Sequence, residues 1–322
     1  MRLCLPVVLA VTACAALFPA DASLGLLQDS RAEAGPSSTR LKGFGSGPII
    51  GMSDNRPETI TDPRFRATGI KRVRVLVPFD DVARGGVRRQ IQDQWFFTAR
   101  LNGVEPLVSF YRSYLSKKLL PTTASYRYNV RRFRQRYPWV RQFSTWNEAN
   151  FPDAQPTGNN PRRTADFYKI LRQECRRCTV LTADFRADGS KHSAWWLRTF
   201  KRYIGRGPHR WGLVSHPDVN RMSTARTRWF LKNTTGSVWV TEIGAVIFFG
   251  RGFRPNIPRQ TKAMRYMMTR YPRVSHRIDR MYIYHWRAAL GNTQWDSALL
   301  SVKGRPRPAY YIFFRAIGRR AP

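Results

Sequence analysis

Apolar residues along this chain come in short bursts separated by longer mixed stretches. Eight bursts, rich in Val, Ile, Leu or aromatics, cover 49–52, 73–77, 106–111, 140–146, 179–182, 211–215, 237–241 and 280–286. Helix-compatible amphipathic stretches lie between most of them, at 85–101, 124–137, 161–174, 192–204, 222–232 and 257–271, and a last one follows at 308–318. Strands alternating with helices argue for βαβ units and a parallel sheet. Eight such units in about 270 residues fit a closed (β/α)8 TIM barrel. A doubly wound open sheet is the runner-up. It would want a glycine-rich phosphate loop after the first strand, whereas Gly43-Phe44-Gly45-Ser46-Gly47 precedes that strand.

The N-terminal region has a different texture. Residues 1–22 read as a secretory signal, with Arg2 as the positive start, apolar 3–17, and Ala20-Asp21-Ala22 as a small-x-small cleavage site. A buried helix is the other reading, but the stretch lacks a polar face. Val11-Thr12-Ala13-Cys14 resembles a bacterial lipobox, which would tether the protein to a membrane through Cys14; the apolar 15–19 speaks against it. Residues 23–46, rich in Ser, Gly, Ala and charge, read as a flexible leader. One domain then fills 47–322, and the expected location is extracellular.

Composition excludes disorder and fibrous repeats: 42% of the residues are hydrophobic and 13% aromatic, and the 21 Pro and 22 Gly follow no period. Charge is the unusual quantity. Lys and Arg number 56 against 20 Asp and Glu, a formal net charge of +36. Such a field attracts polyanions or anionic surfaces. The basic residues are spread along the whole chain and accompany no nucleic-acid-binding motif, so no specific nucleic-acid partner is expected. After the signal only Cys175 and Cys178 remain. Zinc needs about four ligands, and a thioredoxin-like unit is missing, so an exported protein would hold this pair as a small structural disulfide. No metal and no organic cofactor is implied.

In a barrel, catalytic residues lie at the C-terminal ends of strands. The fourth burst ends Trp146-Asn147-Glu148-Ala149-Asn150 and the seventh ends Val240-Thr241-Glu242-Ile243-Gly244. Each puts one Glu at the mouth. A carboxylate pair is what glycosidic cleavage needs: one protonated to release the leaving oxygen, one ionised to attack the anomeric carbon. Taken singly, Asn-Glu reads equally well as a helix cap, and Thr-Glu reads better as an ordinary strand end; the two together, on the fourth and seventh bursts, favour the catalytic reading.

Trp146-Asn147-Glu148-Ala149-Asn150 resembles the strand-four signature of clan A glycoside hydrolases, and Thr241-Glu242 is similar to that clan's strand-seven nucleophile. The resemblance spans about 47–318. It implies Glu148 as acid/base, Glu242 as nucleophile and Asn147 on the sugar 2-hydroxyl. Arg74 resembles the strand-two Arg that steadies the nucleophile, and His216-Pro217 the His-Pro of strand six. Tyr284-His285-Trp286 resembles the strand-eight end, with Trp286 as the sugar platform beside Tyr284. The segment from Trp295 to Leu300, followed by Arg305 to Tyr310, is similar to a closing-helix segment. Three positions depart from the pattern: Ala149 replaces Pro, Asp218 replaces Tyr, and Ser109-Phe110-Tyr111-Arg112 lacks a His.

Three functions follow as expectations. The first is an exported retaining glycosidase acting on an oligo- or polysaccharide; an anionic glycan would also use the charge. The second is a barrel that binds carbohydrate without turning it over. The third is a basic surface protein that holds anionic polymers. Tyr282 is expected to fill the barrel, Trp195-Trp196 to pack a helix, and the loops at 150–164 and 248–259 to line the cleft.

Overall fold

Eight parallel strands stand where the bursts predict them: β1 (Ile49–Ser53), β2 (Arg72–Pro78), β3 (Glu105–Tyr111), β4 (Gln142–Ser144), β5 in two pieces (Thr179–Leu181 and Asp184–Arg186), β6 (Trp211–Val214), β7 (Val238–Ile243) and β8 (Ile278–Tyr284). The computed structural model describes residues 38–322 apart from 46, 251, 292 and 293. Neighbours in sequence are neighbours in the sheet, and β8 pairs in parallel with β1. The two pieces of β5 share the closure: the first pairs with β4 and the second with β6. Across the interruption, the Thr182 N–H donates to the Arg210 carbonyl and the Asp184 N–H to the Trp146 carbonyl. The cylinder is therefore closed, as a (β/α)8 barrel, and the open doubly wound sheet is set aside.

Helices of eight residues or more follow seven of the strands: Gly86–Leu101, Thr123–Arg136, Pro161–Glu174, Lys191–Ile204, Ala225–Lys232, Ile257–Thr269 and Pro308–Ala316. Local chemistry fixes their starts. Thr122, Ser190 and Asn256 each accept a hydrogen bond from the backbone N–H three residues on. Pro occupies the first turn at Pro161 and Pro308. Basic residues sit in most last turns, where the helix dipole favours them. The two five-residue helices after β1, Pro57–Thr61 and Pro63–Ala67, are too short to show a helical period and were not foreseen.

One large apolar core lies between strands and helices, while Leu107, Leu181, Trp239 and Tyr282 form a second cluster. Tyr282 is fully buried, as expected of a barrel-filling residue. Gly51 admits its ring, since a Cβ there would come within 2.6 Å of Tyr282 Cδ1. Of the Trp195-Trp196 pair only Trp196 packs inside; Trp195 is 41% exposed.

Two expectations need correction here. The leader does not extend to residue 46, because Leu41 is buried in the core, Arg40 bridges Ile49, and the Lys42 N–H donates to the Ala316 carbonyl. The segment from Trp295 is not helical: Trp295–Asp296 pairs antiparallel with Phe248–Phe249 as a short ribbon, and the helix begins only at Pro308. Cys175 and Cys178 form the expected disulfide, with Cα atoms 5.3 Å apart. The signal and lipobox residues, Cys14 included, lie outside the described residues. Among the described residues no helix is long and apolar enough to cross a membrane.

Candidate active site

One arginine organises the mouth of the barrel. Arg74 points inward from β2 with no exposed surface, and all five of its N–H bonds are used. Nε donates to Ser109 Oγ at 2.9 Å. One terminal nitrogen donates to Ser53 Oγ at 3.0 Å and to Glu242 Oε2 at 2.6 Å. The other donates to Asn147 Oδ1 at 2.5 Å and to Asp184 Oδ2 at 2.8 Å. A buried guanidinium is tolerable only when so paired. Residues on β1, β2, β3, β5 and β7 and one just beyond β4 thus meet at one group, and the arrangement holds Glu242 in a fixed position.

Asp184 was missed in the sequence. It is fully buried and also accepts from Ser109 and Ser144, both at 2.7 Å. Gly212 makes room for it, because a Cβ there would fall 2.3 Å from Asp184 Oδ1. Its charge offsets that of Arg74, so the guanidinium alone does not neutralise Glu242.

Glu242 closes β7 with its second oxygen 3.1 Å from His216 Nε2. His216 opens the short helix His216–Asn220, which Asn220 ties to the loop after β7 through the Gly244 carbonyl and the Val246 N–H. Asp218 has a structural place: it accepts from the Arg226 and Thr227 N–H groups at the start of the next helix. Burial works to raise the Glu242 pKa, but the Arg74 charge and the His216 and Arg74 hydrogen bonds outweigh it and hold the group at about 2.

Glu148 sits just beyond β4 with φ of 43°, a left-handed backbone that a non-glycine residue adopts at a cost of about 1–3 kcal/mol. Neighbouring bonds impose it: the Asn147 N–H donates to the Phe110 carbonyl and the Ala149 N–H to the Asp184 carbonyl. Burial, reinforced by the negative charge of Glu242, raises the Glu148 pKa to about 6, while Arg186, His216 and Arg74 pull the other way. Arg186 itself lies over the Phe151 ring at 3.9 Å.

The sequence-named residues Arg74, Asn147, Glu148, His216 and Glu242 therefore converge. Tyr284 joins them: its ring is 5.9 Å from that of His216, and burial together with Glu242 raises its phenol pKa. Tyr111, at the end of β3, lies close enough to Glu148 to be raised by it in addition to burial. Trp286 does not join them. It is 1% exposed, packs edge-on against Phe65, and donates its indole N–H to Asp62 at 3.0 Å, so its ring belongs to the outer core and has no face to offer a sugar. The tryptophan beside the site is Trp295, carried by the short ribbon, with its ring 4.6 Å from His216. Among the described residues no group of three His, Cys, Asp or Glu is placed to hold a metal.

No family model and no curated protein matches this chain in sequence. Solved structures do match in shape. An endo-1,4-beta-xylanase of Penicillium canescens aligns with a TM-score of 0.60 at 13% identity, covering 86% of this chain and 96% of that one. Xylanase 10B of Thermotoga maritima gives 0.61 at 8% identity, over 85% and 95%. A GH113 beta-1,4-mannanase gives 0.55 at 10% identity, over 85% and 99%. At these identities what is shared is the fold, the same barrel architecture on which those glycosidases are built.

Proposed function

We propose that the chain is an exported retaining O-glycoside hydrolase that cleaves an oligo- or polysaccharide by double displacement. Glu148 is the acid/base and Glu242 the nucleophile. The observation that carries this reading is the separation of two carboxylates at one barrel mouth, one at about 6 and the other at about 2. Between those values Glu148 is protonated and Glu242 ionised, the state in which such a pair begins glycoside cleavage. The fold it shares with xylanases and a mannanase supports the same class.

The chemistry follows from the roles. Glu242, oriented by Arg74 and His216, attacks the anomeric carbon while Glu148 gives its proton to the departing oxygen. The result is a covalent glycosyl ester on Glu242. Once Glu242 loses its charge by esterification, the electrostatic pressure on Glu148 falls, and its carboxylate can take a proton from an incoming water. That water then attacks the anomeric carbon and releases the sugar with its original configuration. The Asn147 oxygen is held by Arg74, which leaves the amide N–H groups to meet a sugar 2-hydroxyl. Tyr284, Tyr111 and Trp295 supply aromatic surface. Arg186 beside Glu148 favours a glycan that carries negative charge. The Cys175–Cys178 disulfide supports an oxidising, extracytoplasmic location.

The test is turnover of a panel of aryl glycosides and polysaccharides by the wild type, Glu148→Ala and Glu242→Ala. The proposal expects hydrolysis with retention, followed by proton NMR of the first anomer released, and its loss in both variants. Full activity in either variant, or inversion, would overturn it. Saturable glycan binding with no sugar released over long incubation would place the protein with the non-catalytic carbohydrate-binding barrels instead.

A further inference from the structure

We infer that the end of the barrel opposite the catalytic mouth carries a second site, a cationic pocket that holds a stretch of anionic polysaccharide. The pocket is a cavity of about 730 Å³ at the N-terminal ends of β5, β6 and β7. Thr179, Arg210 and Ser237 in its wall begin or immediately precede those strands, whereas Glu148 and Glu242 lie at strand C-termini. A polymer bound here leaves the mouth open.

Its lining contains Lys169, Arg172, Arg176 and Arg210 and no carboxylate. None of the four takes part in an ion pair among the described residues, although the protein pairs arginines elsewhere: Arg127 and Arg131 clamp Glu174, and Arg136 holds Asp93. Unpaired like charges around a concavity repel one another, and the repulsion is relieved when an anion enters. A concave low-dielectric wall also focuses their field.

The wall behind the charges is rigid. His209 is fixed between two rings: its Nδ1 is 3.3 Å from the Tyr168 hydroxyl, and its imidazole stands edge-on to Trp211 at 6.0 Å. Gly236, at φ of 89°, lets the loop before β7 close over it, for a Cβ there would meet the His209 carbonyl oxygen at 2.2 Å. The disulfide fixes the turn that carries Arg176. The buried Tyr168 ring backs the pocket, with the Arg172 guanidinium 5.6 Å above it. A concavity of this size suits a few charged sugar units.

The glycan character of the ligand rests on the proposed activity, but binding here needs no turnover, so the two can fail separately. The experiment measures binding of the full chain to polygalacturonate, dextran sulfate, neutral dextran and a double-stranded DNA oligomer across a salt series. The pocket variant is Arg172→Gln/Arg176→Gln/Arg210→Gln. A control variant, Arg100→Gln/Arg315→Gln/Arg320→Gln, removes the same charge from exposed positions elsewhere. The expected result is a tenfold or larger loss of affinity for one or both charged glycans in the pocket variant, a shallower salt slope, and less than a twofold loss in the control. Preference between polygalacturonate and dextran sulfate identifies carboxylate or sulfate as the recognised group. Turnover of a short aryl glycoside should be equal in the three proteins. Equal losses in both variants would reduce the pocket to net charge and overturn the inference. So would an equal loss of DNA and glycan affinity in the pocket variant, or neutral dextran binding as tightly as the charged polymers.

Discussion

The two ends of the barrel interior are both built around arginine, and they use it in opposite ways. At the mouth three acids, Asp184, Glu242 and Glu148, gather around the buried guanidinium of Arg74, with His216 on Glu242 and Arg186 near Glu148. At the floor one acid, Glu105, stands beside two arginines. Arg72 meets Glu105 at 3.2 Å, Gln142 donates to Glu105, and Arg280 donates to Gln142 at 2.6 Å while lying 3.7 Å above the Trp239 ring. The floor spreads its charges over amide, phenol and indole, and its job is packing. The mouth concentrates them so that two carboxylates cannot share one protonation state. Two carboxylates pushed in opposite directions in one cleft are the pattern of a working site, whereas the floor charges are matched by partners within their own network.

The largest expected effect separates the two ends outright. Glu242→Ala should lower kcat by about 10⁴-fold or more, as the loss of the proposed nucleophile would, and leave a folded protein in which Arg74 still has Asp184. Azide should restore turnover of an activated glycoside by Glu242→Gly, because a small anion can occupy the vacated position. Glu148→Ala should cost about 10²–10⁴-fold and erase the alkaline limb of the rate profile. In the wild type, kcat/KM should rise with pH as Glu242 ionises near 2 and fall as Glu148 loses its proton near 6.

Stability sharpens the contrast. Arg74→Met leaves two carboxylates without their partner and should cost about 3–5 kcal/mol by urea denaturation. Glu148→Gln should have the opposite sign. The folded Glu148 pKa of about 6 lies above the ordinary 4.5, so its ionisation weakens the fold as pH rises through that window. Removing the charge should stabilise the protein at pH 7 by up to about 2 kcal/mol, and by nothing at pH 4. Glu242 is the mirror case. Its pKa lies below the ordinary value, so its stabilisation is present above 4.5 and lost as pH falls toward 2. The smallest effect belongs to the floor: Arg280→Met should cost about 1 kcal/mol and leave the rate profile unchanged.

The strands were legible because each is covered on both faces and carries a short burst rich in apolar residues, and the two glutamates stood out because each is a charge at the end of such a burst. Asp184 was not, because β5 is interrupted at Thr182 and Ala183 and the acid lies beyond the run that marks the strand. The exchange of Trp286 for Trp295 has a similar origin. After β8 the chain turns, and Asp62, 224 residues away in sequence, decides that the Trp286 ring faces the outer core. Trp295 reaches the mouth on a ribbon paired with Phe249, a contact without any local signal. Short ribbons and third-residue partners depend on distant segments, while periodic elements carry their own evidence.

The separation of the two mouth carboxylates is the central claim, and it can be measured without knowing the sugar. The chain holds only six glutamates, so a carbon-13 NMR titration of carboxyl-labelled protein would resolve them, with Glu148→Gln and Glu242→Gln assigning the two signals. Midpoints near 6 for Glu148 and near 2 for Glu242, with the Glu148 midpoint falling in Glu242→Gln, are the predicted result. Two midpoints both close to 4.5, each unmoved by removal of the other, would contradict it.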